Sequence, residues 1–566
     1  MSRYYSPEAY SDPHQMRSAL PIKWLLVGLK NTRVYLEPLR LQLRYLHCIV
    51  LRPMPNEPLT VGLIAVTGLL TYRLYRYSRE RKLGLPPGPR SYPLIGHLLS
   101  VPKGLEHIGF MRLGEQIGSK IFSLSVLGTT IIVLNDKDDA ANLFDKRSAI
   151  YSDRTCPPMV EDPSLLDWGD VGTCVGFGDR WRKYRRLMNP WLTKQAVITY
   201  HGSQEQTTRK LLKQLLKSSN KIMCSHELYA ELYLSVSATL FRSLYGYEAE
   251  SSNDPILSRT QKLIAYLANA LLASSYLVNK IPALRYIPAW FPGAGWKRDA
   301  SKWRKEKELL IDDLYNIGLE NMKKDEGSRL MITSLRSQTL RLGLTGEEAD
   351  DYVKQVLIVL VGGGTDTTVN TVLMFFSAMV LYPEVQKKAQ EELDSVIGNT
   401  RLPTIEDRDR LKYVEMIMQE TFRWAPVAPL AIPHTCFQDD TYKGYYIPKG
   451  AIVIGNVWAM TRDSTVYSDP ETFNPDRYSD PSTPPSPLFG WGRRRCPGIH
   501  FGEASVFIVI ASILMSFNIE VTQDENGKDV LPSGEVVDSL ILTPQKFMLK
   551  LTPRSPTHEE LIQHGC

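Results

Sequence analysis

Apolar residues recur along this chain with two periods. Over 344–381 they fall at helical spacing, with Glu347, Glu348 and Asp350 in the first turn, where carboxylates favour a helix N-terminus; a long helix is predicted there. The run 501–517 is apolar almost throughout and reads as a buried helix. Between 121 and 135 the period drops to two: Phe122, Leu124 and Val126 alternate with Ser123 and Ser125, the pattern breaks near Gly128 and it resumes at 131–134. That alternation predicts a β-hairpin. Residues 136–151 have helix-like composition, and Pro157, Pro158, Pro163 and several glycines up to Gly178 make a long irregular loop, of the kind that is usually functional. A helix opens near Trp181. Several more are expected over 204–327, interrupted at 277–296 by a stretch carrying Ile281, Ile287, Trp290, Phe291 and Trp296. Past Asn518, Val521, Val530 and 540–551 suggest short strands.

The N-terminal region has a different pattern. Residues 59–72 are apolar and uncharged, and Arg73 and Arg76 lengthen the run by snorkelling, although it falls short of the ~20 residues of a full span. A single membrane anchor over 58–78 is expected, the alternative being an amphipathic segment lying on the surface. Arg73, Arg76, Arg79, Arg81 and Lys82 follow at once, which places everything downstream in the cytosol. Pro86-Pro87-Gly88-Pro89 reads as a stiff hinge within 79–90. Residues 1–57 are an extension whose role the sequence does not reveal, its one apolar patch at 24–29 being too short to span. No linker, repeat or low-complexity block divides 91–566, so this part is expected to be one domain. Its aromatic loop at 277–296 is expected to dip into the bilayer interface, the alternative being a packed interhelical loop.

Composition excludes more than it identifies. Hydrophobic residues at 43% and charged residues at 23% permit a sizeable core, and a formal charge of +6 from dispersed Lys and Arg gives no nucleic-acid stripe. The seven cysteines are odd in number and contain no Cys-x-x-Cys pair, against a disulfide framework or a zinc site.

One of them stands apart. Cys496 lies in Phe489-Gly490-Trp491-Gly492-Arg493-Arg494-Arg495-Cys496-Pro497-Gly498, just before the 501–517 helix. Arginine charge and the N–H groups of a helix start both favour a thiolate, so Cys496 is a candidate metal ligand. Gly492 and Gly498 allow tight turns and close approach of a flat ligand, and Phe489 is placed to shield the sulfur. In the middle of the long helix, Gly362-Gly363-Gly364 costs ~2–3 kcal/mol relative to alanine; close approach of a flat cofactor and a local opening of the helix would offset it. Trp181 and Arg185, at i and i+4, share a helix face on which an indole N–H and a guanidinium can grip one carboxylate. Glu420 and Arg423, at i and i+3, form a pair that is common on helix surfaces.

Taken together, Phe-x-x-Gly-x-Arg-x-Cys-x-Gly, Gly363-Gly364-Thr365-Asp366-Thr367-Thr368, Trp181-x-x-x-Arg185 and Glu420-x-x-Arg423 resemble the motifs of microsomal, fungal-type cytochromes P-450 of class II. That resemblance implies a mainly α fold with small β-sheets at one side and haem b between the long central helix and the cysteine loop. Cys496 would be the axial iron ligand, Thr367 the alcohol and Asp366 the acid of a proton relay. Trp181, Arg185, His434 and Arg494, with Arg154 beside them, would hold the haem propionates. Arg477 would complete a structural triad with Glu420 and Arg423 that holds the cysteine loop, and Leu540, Ile541 and Leu542 would line the substrate pocket. The implied chemistry is monooxygenation of a small apolar molecule, a secondary metabolite or xenobiotic, at the endoplasmic reticulum membrane. With no dinucleotide or flavin motif in the chain, electrons would come from NADPH through a separate cytochrome reductase, with cytochrome b5 as a further donor. A peroxide isomerase and a haem-binding sensor are the alternatives; neither needs the Asp366–Thr367 pair.

Overall fold

The computed structural model describes residues 67, 68, 71, 84–249, 251–272, 274–324 and 330–564. The expected extension (1–57) and anchor (58–78) lie outside these residues, apart from Thr67, Gly68 and Thr71. Contacts divide the chain into two units, Met1–Lys82 and Leu83–Cys566.

The second unit is mainly α-helical with small sheets. Its principal elements in chain order are α1 (Glu106–Ile117), β1 (Ile121–Val126), β2 (Thr129–Leu134), α2 (Asp179–Leu192), α3 (Lys194–Lys217), β3 (Ile222–Cys224), α4 (Ser225–Tyr245), α5 (Pro255–Leu271), α6 (Gly295–Lys324), α7 (Met331–Arg341), α8 (Gly346–Leu381), α9 (Pro383–Val396), α10 (Lys412–Trp424), β4 (His434–Thr435), β5 (Ile452–Gly455), α11 (Ile499–Ser516), β6 (Phe517–Glu520), β7 (Met548–Pro553) and α12 (Pro556–His564). The strands β1-β2-β5-β4 make one sheet, in which β5 runs parallel to β2, and β3-β7-β6 make another. The predicted hairpin is β1–β2, with Ile121 opposite Leu134 and Val126 opposite Thr129. Its two-residue turn has φ of +50° at Leu127 and +89° at Gly128, the positive pair that a type I′ turn demands.

Helix α8 is the axis of the core. Its first half packs Tyr352, Val356 and Leu357 with Leu187 of α2, Leu314 of α6 and Leu335 of α7. Its second half packs Val372, Phe376 and Met379 with Leu232 of α4, Ile417 of α10 and Ile510 of α11. A helix apolar on every side belongs in an interior, and accordingly residues 368–380 of α8 and 504–516 of α11 are buried without a break. Among the described residues these two helices are also the ones long and apolar enough to cross a membrane; both are core helices here. Pro383 starts α9 immediately after α8 ends, because a proline N–H is not needed at a first helical turn.

Three expectations are refined. The three glycines do not open α8, which is continuous; a Cβ on Gly362 would lie 2.6 Å from Ile264 Cδ1 and one on Gly364 2.9 Å from Leu240 Cδ1, so these two admit α5 and α4 at close range. The helix expected over 136–151 is a short α-turn capped by Asp136, followed by a π-helical turn at Asn142–Lys146. Residues 86–89 are docked rather than free: Ser123 of β1 donates its N–H to Pro87 O (2.8 Å) and its hydroxyl to Pro86 O (2.7 Å). The long loop is well packed, with Met159, Leu165, Leu166, Trp168 and Val171 all buried. Within 277–296, Val278 and Ala294 are buried, while Leu277, Tyr286 and Trp290 are exposed by 68%, 75% and 78%, leaving an apolar surface.

His107 of α1 is 2% exposed, lies edge-on to Trp458 at 4.7 Å between ring centres, and has no partner at Nε2 among the described residues. Burial, and secondarily the Arg462 charge, hold its pKa down from 6.5 to about 4. The unfolded chain therefore takes up this proton at a higher pH than the folded one, so the stability His107 contributes is complete above pH 6.5 and is lost as pH falls towards 4. His107→Phe, which keeps the ring contact, should remove from urea unfolding curves an acid-dependent loss of at most ~3 kcal/mol across that window.

Candidate active site

The cysteine loop is held by its own backbone. Gly490 N–H donates to Pro487 O at 3.0 Å, Arg495 N–H to Gly492 O at 3.2 Å and Cys496 N–H to Phe489 O at 2.9 Å, delivering Cys496 just ahead of α11. Gly492 has φ +53°, and a Cβ there would lie 2.1 Å from Phe144 O, so it is required by the π-helical turn rather than by a ligand. That turn also supplies Asp145, whose carboxylate accepts from Gly492 N–H at 2.5 Å. A Cβ on Gly498 would meet only the Cys496 sulfur, at 3.9 Å.

Cys496 borders a cavity of about 340 Å³. Across it stand Gly363, Gly364, Thr367 and Thr368 of α8; Phe489 forms part of the wall, set edge-on to Phe422 at 5.6 Å. The thiol is accessible from within the cavity yet enclosed by protein. Burial is the largest influence on it and raises its pKa, opposed by the Gly498 N–H and the charges of Arg185 and Arg495. The cationic loop alone thus does not make a thiolate; a cation bound in the cavity would.

One end of the cavity is strongly cationic. Arg154, Trp181, Arg185, His434 and Arg494 line it, and no Asp or Glu among the described residues does. Arg154 donates to the Ile432 and Pro433 carbonyls, Arg185 Nη2 to Arg495 O (2.5 Å), and Arg494 to Ser152 O and Val175 O (2.8 Å each). Trp181 lies under the Arg494 guanidinium at 4.8 Å. His434 places Nδ1 2.6 Å from Tyr151 O and stacks on Phe144 at 4.2 Å. Burial first, then mutual repulsion, brings Arg154 down to about 10 and Arg494 to about 9; burial likewise lowers Arg185 and His434. Arg154 Nε and Arg494 Nη1 are buried with no acceptor among the described residues. Unpaired buried donors are costly, and this cluster is built to receive anionic oxygens.

Helix α8 separates Thr367 from Asp366. Thr367 faces the cavity and donates its hydroxyl to Gly363 O at 2.8 Å, which leaves its oxygen lone pairs free. Asp366, about 100° further round the helix, borders a second cavity of about 460 Å³ instead. There its Oδ1 accepts from Tyr229 Oη at 2.9 Å and Asn370 Nδ2 at 3.3 Å. Burial raises the Asp366 pKa, opposed by these two bonds. Of the C-terminal trio, Leu540 and Ile541 line the first cavity, whereas Leu542 packs against Met374 and Ala425.

The expected triad is assembled and buried. Glu420 and Arg423 are both 0% exposed and joined by two bonds of 2.8 Å, and Arg477 Nε lies 3.1 Å from each Glu420 oxygen. Arg423 also donates to the carbonyls of Thr461, Pro470 and Thr472. Arg423 lies over the Tyr467 ring at 5.4 Å, and Tyr467 Oη donates to Pro484 O at 3.0 Å, upstream of the cysteine loop; Phe422, next to Arg423, touches Phe489 of the loop itself. Sequence reasoning missed Tyr229, Asn370 and Asp145. Only Asn370, at i+4 from Asp366, had a local signal; the other two act on residues 137 and 347 positions away.

Comparison with known proteins agrees with this geometry. The cytochrome P450 family profile matches residues 86–551. A cytochrome P450 monooxygenase of Armillaria gallica is 35% identical over 90% of this chain and 99% of its own length. Others from Ampulloclitocybe clavipes and Coprinopsis cinerea are 36% and 34% identical, over 88% and 89% of this chain and 91% and 95% of their own. With a family match over most of its length and relatives alike nearly end to end, the chain belongs to the cytochrome P450 family.

Proposed function

We propose that this protein is a haem-thiolate monooxygenase that places one oxygen atom of O2 into a small apolar molecule. The observation that carries this reading is the cavity itself, with a thiol on one wall, a hydroxyl on the other and unpaired guanidinium donors at one end. Haem b fits these residues. Cys496 Sγ would ligate the iron, Arg154, Arg185, His434, Arg494 and Trp181 would receive the two propionates, and Gly363, with nothing within 4 Å of a built Cβ, leaves a flat face open to the ring.

When bound, the haem supplies oxygen activation, for which a thiolate ligand donates electron density. The chain's own residues do the rest. Leu240, Leu244, Val359, Leu360, Ile432 and Ile541 give the cavity an apolar wall that orients an uncharged substrate and excludes water. Thr367 Oγ1 holds a proton at the cavity surface. Glu420, Arg423 and Arg477 fix the segment leading to Cys496. Electrons are assigned to NADPH through a separate reductase, with cytochrome b5 as a second donor. The endoplasmic reticulum membrane is the assigned location, supported by the basic cluster after residue 72 and by the exposed Leu277, Tyr286 and Trp290. Secondary metabolites and xenobiotics are the substrate classes that suit the wall.

Purified protein with added reductase should consume NADPH and O2 and yield a hydroxylated product when screened against apolar compounds; turnover of peroxides without response to NADPH would overturn the reading. Cys496→Ser should lose the long-wavelength carbon monoxide band of the reduced protein, which requires thiolate ligation. Arg423→Ala leaves Glu420 buried with one guanidinium instead of two, at a cost of ~3–5 kcal/mol, so haem content per polypeptide should fall, measured by pyridine haemochrome. Thr367→Ala should keep haem content and NADPH use while the ratio of product to NADPH drops and hydrogen peroxide accumulates. An unchanged ratio would make Thr367 a packing residue.

A further inference from the structure

Cys156 and Cys174 take no part in the proposed reaction, yet they stand at the two ends of one buried stretch of the long loop and their side chains meet. Cys156 Sγ lies 3.7 Å from Cys174 O, and the two thiols are hydrogen-bonded to one another. They are 9% and 5% exposed and share a core cluster with Met159, Leu166 and Trp168 of the chain between them. Their neighbours reach the active site: Arg154, two positions before Cys156, and Gly172 and Thr173, just before Cys174, line the first cavity. As packing residues two buried thiols do no more than two small apolar side chains. What the pair adds is the capacity to close a bond. It is also chemically unequal. The Cys156 hydrogen bond first, then the Thr173 hydroxyl and the Arg154 charge, hold the Cys174 pKa below the usual thiol range against burial and Glu161, while Cys156 is raised by the same hydrogen bond and by burial. The first proton therefore leaves from Cys174, and Cys156 keeps its own.

We propose that Cys156 and Cys174 are a peroxide-sensitive pair, and that their disulfide ties the two ends of the 157–173 loop together beside the active-site cavity. The oxidant is hydrogen peroxide, small enough to enter a packed site. The Cys174 thiolate attacks one peroxide oxygen; an S–O bond forms, the O–O bond breaks, and the departing hydroxide takes up the proton that Cys174 had lost, giving water. The Cys156 sulfur then attacks the sulfenic sulfur of Cys174; the S–S bond forms, the S–O bond breaks, and the Cys156 proton leaves with the second water. Two thiols lose two electrons and one peroxide gains them. In a reducing compartment such a bond is transient, as in redox-sensing proteins, and thiol exchange reverses it. A covalent tie across this loop limits the movement of the segment that carries Gly172 and Thr173.

The full-length protein tests this without a turnover assay. It is reduced, freed of reductant, treated with hydrogen peroxide at a dose that leaves Cys224 and Cys436 as thiols, then denatured in iodoacetamide and digested with trypsin. No Lys or Arg lies between Arg154 and Arg180, so both cysteines fall in the peptide 155–180, which should be lighter by two hydrogens and carry no alkyl group. Cut again after Glu161, its halves should stay joined until dithiothreitol is added. In the oxidised protein the amides of 157–173 should exchange hydrogen roughly threefold or more slowly than in the reduced protein; Cys174→Ala should show neither the mass change nor the slowing. Two alkylated cysteines, a different partner for either of them, sulfinic acid in place of the cross-link, or oxidation of Cys224 or Cys436 first would each overturn the pair. A disulfide that leaves exchange over 157–173 unchanged overturns the tie. Since peroxide is supplied and mass and exchange are read, failure here is distinct from failure of the monooxygenase reading, which NADPH-dependent product formation decides.

Discussion

The pair Glu420–Arg423, two opposite charges with no solvent exposure, anchors the stretch of chain that leads towards Cys496. Such a pair is tolerated only when the remaining lone pairs and N–H groups are all met, and here they are met by backbone. Three carbonyls turn inward to Arg423, three turn to Arg477, with Thr472 O shared, and Asn474 N–H closes onto Glu420 at 2.8 Å. Residues 461–477 contain little regular structure, so these bonds to arginine fix their course. The chain then continues directly into the loop that bears Cys496.

A second cluster of arginines, at the edge of the cavity, is built on the opposite principle. Each guanidinium nitrogen of Arg423 and Arg477 has an acceptor; around Arg154, Arg185 and Arg494 no carboxylate among the described residues lies on the cavity wall, and two N–H groups remain unpaired. The first arrangement is satisfied within the chain and serves architecture. The second leaves donors that a group from outside the chain would satisfy, which supports the proposed seat for the haem propionates.

Legibility in the sequence followed the range of the interaction. The helices at Gly346–Leu381 and Ile499–Ser516 and the hairpin at Ile121–Leu134 were evident because their apolar periodicity is local and strong. Trp181 and Arg185 could be set on one helix face from their spacing of four, whereas Cys496 and Thr367 were proposed through short motifs that resemble those of the family. The reason for the glycines was not evident: Gly362 and Gly364 answer to side chains of α5 and α4, and Gly492 to a carbonyl of the π-helical turn, all distant in sequence. The side of α8 taken by Asp366 was hidden for the same reason, since Tyr229 is contributed by another helix. Arginine charge and a backbone N–H do favour the Cys496 thiolate, as the sequence suggested; the opposing effect of burial could not be counted along the chain.

The docking of residues 86–97 on β1 bears on where this protein can be cut. Strand β1 is the outer member of its sheet, and its free edge is occupied by Pro86 and Pro87 through Ser123 and by His97, whose Nδ1 accepts from Ser125 N–H at 2.7 Å. An open strand edge is a template for pairing with another chain. The proline segment therefore acts as a built-in edge guard, and a soluble fragment trimmed past it would be prone to self-association through β1 even with the whole catalytic core intact.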